Sequence, residues 1–249
     1  MKYKALILDL DGTTIANYSS DPPTPRVTEA IKKAHKRIHI SIATGRPLYI
    51  VKHLIDHLEL SGPCILNNGS QIYDPVKKKI IHEVIFDKAF IPKIYGFCKK
   101  KKLHVRMFDG IKDIVYNGEA LPGKVLSLYI PNGSIKAIDA LIDFCSMLPQ
   151  VATHRMVTLE EGFHSVEITH TDASKLHGIV EVMRHLNIQK EEIIGVGDSY
   201  NDYPLLMASG LKIAMGNAVP ELKKIADFIA PSVEEDGVAT VIEKFILHQ

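Results

Sequence analysis

Cysteine is scarce in this chain: three residues among 249, Cys64, Cys98 and Cys145, far apart and odd in number. No C-x-x-C pair occurs, which leaves zinc knuckles and dithiol redox sites without support and points to a reducing, intracellular setting. An excess of either charge is also missing. Thirty Lys and Arg against 29 Asp and Glu give a formal net charge of +1, which supplies no global field toward nucleic acid or membrane. The short lysine runs at 77–79 and 99–102 lack interleaved aromatics and read as solvated faces. No apolar run approaches the ~18–20 residues of a membrane span, and the first is broken by Asp9 and Asp11 too early for a signal-peptide core. There is no internal repeat and no low-complexity tract. A soluble, cytoplasmic protein is expected, in which the Asn17-Tyr18-Ser19 sequon stays idle. Nothing in the sequence sets an oligomeric state.

What is present begins with LILDLDGTT, Leu6 to Thr14, where a continuously apolar run ends in two aspartates one residue apart. A short run of this kind reads as a strand covered on both faces. Thr24-Pro25 reads as a helix cap with proline in the first turn, and Val27, Ala30, Ile31 and Ala34 supply the apolar stripe. Strand then alternates with helix through Leu66, and the same rhythm returns from Ala173 to the C-terminus. That alternation predicts a parallel α/β sheet. Between the two blocks, helices at 88–101 and 134–148 and strands near 103–108, 112–117, 125–130, 151–158 and 163–169 group as α+β. The expected organisation is a Rossmann-like core, residues 1–83 and 168–249, interrupted by an inserted α+β domain at 84–167.

Ligands of parallel α/β sheets bind at the carboxyl ends of the strands. The residues expected there are Asp9, Asp11 and Gly12; Thr44, Gly45 and Arg46; Asn67, Asn68 and Gly69; and Gly197, Asp198, Asn201 and Asp202. Four carboxylates converging on one place imply a cation, and an all-oxygen donor set selects a hard one, Mg²⁺ where phosphate is also bound. Asp9 is then suited to attack phosphorus and form an aspartyl-phosphate, with Lys175 adding positive charge and Asp11 carrying the proton. Other motifs are weaker. His53 and His57 have zinc-like i, i+4 spacing but lack the glutamate of H-E-x-x-H, and Gly195-x-Gly197 lacks a third glycine for a dinucleotide loop.

DLDGTT, the Thr44 of IATGRP, Lys175 and GVGDSYND, in this order, resemble the haloacid dehalogenase superfamily across essentially the whole chain. NNGS from Asn67 and the tail AMGNAVPELKKIADFIAPSVEEDGVATVIEKF from Ala214 are similar to its Cof-type phosphatases. One departure is Leu176-His177 after Lys175, where that subfamily often has glycine next. The resemblance implies that Asp9 is nucleophile and Mg²⁺ ligand, and that Asp11 is the acid/base whose backbone carbonyl also holds the metal. It further implies that Asp198 is a direct metal ligand and Asp202 a supporting one. Thr44 and Lys175 would hold the phosphoryl group, helped by backbone N–H groups near Gly12 and Gly45, with Asn201 ordering the same corner. The insert would be a cap that selects a small phosphorylated substrate, with Arg106 on its first strand facing that substrate and Tyr129 and Arg155 as weaker candidates. A phosphomutase shares the same core residues and is the alternative. A receiver-type signalling domain fits less well, because it lacks a second acidic site such as GDSYND and the long insert.

Overall fold

The computed structural model describes residues 2–17, 19–158 and 160–248. Tyr18, the middle residue of the sequon, lies outside them. The chain divides into two compact units, residues 1–82 with 174–249, and residues 83–173.

In the first unit, strand β1 (Ala5–Leu8) leads to helix α1 (Pro25–Ala34), β2 (His39–Ile42), α2 (Leu48–His57) and β3 (Cys64–Leu66). All four residues of β1 are fully buried, as a strand covered on both faces requires. Helix α1 starts as its sequence dictates: the Thr24 side chain accepts from the Val27 N–H at 3.3 Å, proline takes the first turn, and Val27, Ala30, Ile31 and Ala34 are buried. Sequence reading passed over the next two strands, β4 (Gln71–Asp74) and β5 (Lys79–Glu83), which extend β3 into a three-stranded sheet in the order β3-β4-β5. Their apolar residues are few and the turn between them is lysine-rich, so the segment reads as polar loop. Gln71 is nevertheless buried, which no period-2 pattern announces.

The second unit contains α3 (Ile91–Lys100), β6 (Val105–Phe108), β7 (Asp113–Tyr116), β8 (Ser127–Ser134), α4 (Ile135–Ser146), β9 (Val151–Val157) and β10 (Phe163–His170). Its strands pair antiparallel in the order β7-β6-β8-β10-β9. Val105, Met107, Leu128, Ile130, Val166 and Ile168 join residues of α3 and α4 in one apolar cluster, and Phe97 stacks on Phe144 with ring centroids 4.7 Å apart. The expected boundary at 167/168 falls inside β10, and the observed division lies at 173/174.

The chain then returns to the first unit with α5 (Lys175–Leu186), β11 (Ile193–Gly197), α6 (Tyr203–Met207), β12 (Leu211–Ala214), α7 (Pro220–Ile225), β13 (Phe228–Ile229) and α8 (Gly237–Ile242). Between β11 and α6 the chain makes a 3₁₀ turn, Tyr200–Asp202, and the end of α8 loosens into a π turn, Glu243–Leu247. The two-residue β13 was not foreseen from sequence.

The main sheet is parallel throughout, in the order β13-β12-β11-β1-β2. Strands that follow β1 directly add on one side and strands from the C-terminal half add on the other. The order therefore reverses between β1 and β11, and the crevice beyond their carboxyl ends is where such a sheet binds ligands. Asp9 and Asp198 are the first residues after those two strands.

Candidate active site

Asp9 extends β1, its N–H donating to the Val196 carbonyl of β11 at 2.9 Å. Beyond it the chain reverses over 10–15, with Thr14 and Ile15 N–H groups both donating to the Leu10 carbonyl and Thr14 Oγ1 donating to the Asp9 carbonyl at 2.6 Å. Leu10, between the aspartates, is fully buried in the core. Gly12 is required twice over: its φ is +75°, and a Cβ there would stand 2.5 Å from Asp198 Oδ2. Across the switch point, Gly197 makes room for Asp202 in the same way, since a Cβ on it would lie 2.5 Å from the Asp202 Cβ.

Three carboxylates meet here. Asp9, Asp198 and Asp202 each offer an oxygen within 4.8 Å of the other two, and they are 5%, 7% and 0% exposed. Lys175, also buried, donates at 2.6 Å to Asp9 Oδ1 and at 2.6 Å to Asp202 Oδ1. The other Asp202 oxygen accepts the N–H groups of Asp198 and Ser199, both at 3.0 Å. Asp202 is thus spoken for on both oxygens and acts as a brace between the β11 turn and the lysine. Thr13 Oγ1 donates to Asp198 Oδ1 at 2.8 Å.

One ammonium among three buried carboxylates leaves the cluster short of positive charge. Burial, with the Asp202 charge behind it, raises the Asp9 carboxyl well above its ordinary value although Lys175 pulls the other way. Burial also pushes Asp198 up to about 6, outweighing the Thr13 hydrogen bond, and the Asp202 charge adds to the rise. For Lys175, burial favours the neutral amine, but Asp202 and Asp9 more than reverse this and hold the ammonium charged. An all-oxygen cluster that raises its own proton affinity fits a hard divalent cation, which would take the place of the shared protons.

Of the residues expected at the site, Asp9, Thr44, Lys175, Asp198 and Asp202 are buried at the carboxyl end of the parallel sheet or on the helix beside it. Thr44 follows β2, receives the Arg46 N–H on Oγ1 at 3.1 Å, and lends its carbonyl to the Asn68 N–H at 3.1 Å. Asn67 and Asn68 both adopt left-handed backbone, φ 52° and 54°, a conformation that asparagine tolerates better than most residues. Gly45 packs against the Asn68 side-chain amide.

Four of the residues expected at the site have other partners or stand exposed in this structure. The Asp11 carboxylate is not part of the cluster; Arg46 grips it, with Nε donating to Oδ2 at 2.9 Å and Nη2 donating to Oδ1. The Gly12 N–H donates to the Ile15 carbonyl at 2.8 Å and so closes the turn instead of facing a ligand. Asn201 is exposed on the 3₁₀ turn. The corner expected to depend on it is tied by Asn217, whose Nδ2 donates to the Gly12 carbonyl at 2.8 Å and whose Oδ1 accepts from Val233 N–H at 3.0 Å. In the second unit, Arg106 is half exposed and pairs with Asp113 on the adjoining strand at 3.5 Å. Tyr129 OH donates to Ser165 Oγ at 3.1 Å, and Arg155 pairs with Asp139.

Sequence reading did not assign Thr13, Asn217 or the guanidinium of Arg46. Their signal was present in DGTT, AMGNAV and TGRP, but hydroxyl, amide and guanidinium groups in loops gain a role only once the fold brings their partners near. His53 Nε2 lies 2.8 Å from the Ser20 carbonyl. Among the described residues, the single group of three or more acidic or metal-ligating side chains close enough to hold an ion is the aspartate cluster.

The model of the haloacid dehalogenase-like hydrolases matches the chain over two overlapping stretches, 6–139 and 134–242. The putative phosphatase YkrA of Bacillus subtilis is 27% identical over 269 residues, which cover 98% of each chain. The 5-amino-6-(5-phospho-D-ribitylamino)uracil phosphatase YcsE of the same organism is 26% identical over 98% of this chain and 96% of its own. A haloacid dehalogenase-like hydrolase from Bacteroides thetaiotaomicron, known as a crystal structure, superposes with a TM-score of 0.84 at 25% identity, over 98% of this chain and 99% of its own. With the DLDGTT turn, the Lys175 bridge and the GVGDSYND brace all at the β1/β11 switch point, and with a family match running through both units, this chain belongs to the haloacid dehalogenase-like hydrolases, in their Cof-type branch.

Proposed function

We propose that this protein is a Mg²⁺-dependent phosphatase that hydrolyses small phosphate monoesters through an aspartyl-phosphate on Asp9, in the cytoplasm. The observation that carries the reading is the buried cluster of Asp9, Asp198 and Asp202 bridged by Lys175. Asp9, Asp198 and the backbone carbonyl of Asp11 would hold the ion, with Asp202 supporting. The ion supplies charge neutralisation at the transferring phosphoryl group. Asp9 attacks phosphorus as the ester oxygen leaves, and that oxygen takes its proton from Asp11. Asp11 later takes a proton from the water that displaces Asp9. Thr44 and Lys175 bind phosphoryl oxygens, with the Gly45 N–H beside them. The names of relatives span several substrates, and the inserted unit is proposed to make that choice here.

The test is steady-state hydrolysis of p-nitrophenyl phosphate and of a panel of sugar phosphates, nucleotides and cofactor phosphates, with Mg²⁺ and with excess chelator. Inorganic phosphate released only with the cation is expected. Full activity in chelator would remove the metal from the reading, and an isomerised sugar phosphate as main product would make the protein a mutase.

A further inference from the structure

Arg46 has more polar partners than a strand-end arginine needs. Its backbone is fixed on both sides, the N–H donating to Thr44 Oγ1 at 3.1 Å and the carbonyl accepting from Asn67 N–H at 3.1 Å. Its guanidinium is committed through all three nitrogens: Nε and Nη2 to the two oxygens of Asp11, and Nη1 to the Ser19 carbonyl at 2.8 Å. Only a planar fork grips both oxygens of a carboxylate at once, and a lysine at this place would hold one. The grip settles how four carboxylates coexist in a small volume. Lys175 takes Asp9 and Asp202, Arg46 takes Asp11, and the Asp11 carboxylate stays off the metal cluster.

We infer that Arg46 is the positioning residue for Asp11: it anchors that carboxyl, releasing one oxygen when Asp11 carries its proton to the leaving oxygen while still holding the other, and it prevents Asp11 from becoming a fourth side-chain ligand. The inference rests on the phosphatase reading above. A bystander arginine that only ties Ser19 to the end of β2 would affect stability and every substrate alike. An arginine that bound substrate directly would act on KM.

The experiment compares kcat of the full chain, with saturating Mg²⁺, on p-nitrophenyl phosphate, whose leaving group needs little protonation, and on glycerol 2-phosphate, whose leaving group needs it fully. Arg46→Ala is expected to lower kcat on the glycerol ester at least about tenfold more than on the aryl ester, because general-acid help is worth ~10²–10⁴ where it is needed. Arg46→Lys should fall between, and added guanidinium should restore part of the glycerol ester activity of Arg46→Ala. In an Asp11→Asn background, Arg46→Ala should add nothing, since the arginine acts only through that carboxylate. Equal kcat losses on the two esters, a change confined to KM, or a full additional loss in the Asp11→Asn background would each overturn the assignment. If Arg46→Ala does not fold, the same comparisons on Arg46→Lys decide it. A wild-type protein that hydrolyses neither ester overturns the phosphatase reading and this assignment with it, an outcome distinct from a loss seen only in the variants.

Discussion

Lys175 occupies the first position of α5, where the helix dipole disfavours a cation, and it is 3% exposed. Both features are unfavourable until Asp9 and Asp202 are counted, and a residue that breaks local rules this way marks a site built for chemistry. Lys175→Met keeps the volume and removes the charge. It is expected to lower kcat by roughly 10²-fold or more, as losing a charge aimed at a transferring phosphoryl group does, and to weaken competitive inhibition by inorganic phosphate. Steady-state kinetics with a phosphate titration read both. The raised carboxyls give a second expectation. Asp9 and Asp198 bind protons more tightly folded than unfolded, so the stability they contribute is complete below the ordinary value of 3.8 and is lost as pH rises through about 6 for Asp198. Metal-free protein should therefore melt at a lower temperature at about pH 7.5 than at about pH 5, and Mg²⁺ should remove most of the difference. Thermal unfolding with and without chelator checks this; a chelated protein that gains stability over that range would mean the cluster is not short of positive charge.

At the scale of elements, much of the site was legible because it is made from strand ends. The apolar run stopping at Asp9, the GVG before Asp198 and the helix opening at Lys175 each mark a carboxyl end or a first turn, and parallel α/β architecture brings such places together. The orientation of Asp11 was not legible, because a carboxylate two residues past a strand can face the cluster or turn from it. The partner that decides, Arg46, is 35 residues away in sequence. The β4 and β5 strands escaped for a different reason: a short antiparallel addition with a lysine-rich turn shows no apolar alternation. Helix α5 also offers a test at this scale. Ser174 caps it, accepting from His177 N–H at 3.3 Å, and its loss should cost about 1 kcal/mol of stability. Because the cap sets the turn that carries Lys175, Ser174→Ala should lower kcat as well, with little change in KM. Denaturant unfolding and kinetics on the same sample separate the two effects.

For the whole molecule, the groups proposed to be catalytic all belong to the unit formed by residues 1–82 and 174–249, and the inserted unit has a core of its own. Arg106 illustrates how little the insert disclosed in advance. The alternation of Leu103, Val105 and Met107 predicts one core-facing side and puts His104, Arg106 and Phe108 on the other; Val105 and Met107 are buried and Leu103 partly so, yet Phe108 on the opposite face is buried too and Arg106 is held by Asp113. The pair is partly exposed, so Arg106→Ala is expected to change stability by less than about 1 kcal/mol. A rise in KM for sugar phosphates that spares p-nitrophenyl phosphate would assign substrate choice to this strand. Unchanged KM values would leave Arg106 a surface ion pair.

Phosphorylation of Asp9 is the step on which every other proposed role depends, and rapid acid quench detects it, since acyl phosphates survive acid long enough to be mapped. The protein is mixed with Mg²⁺ and excess ³²P-labelled ester, quenched during turnover, and digested. Label on the peptide carrying Asp9, absent from Asp9→Asn along with all turnover, is the expected result. Phosphate released at full rate by Asp9→Asn, or label confined to another residue, would contradict it.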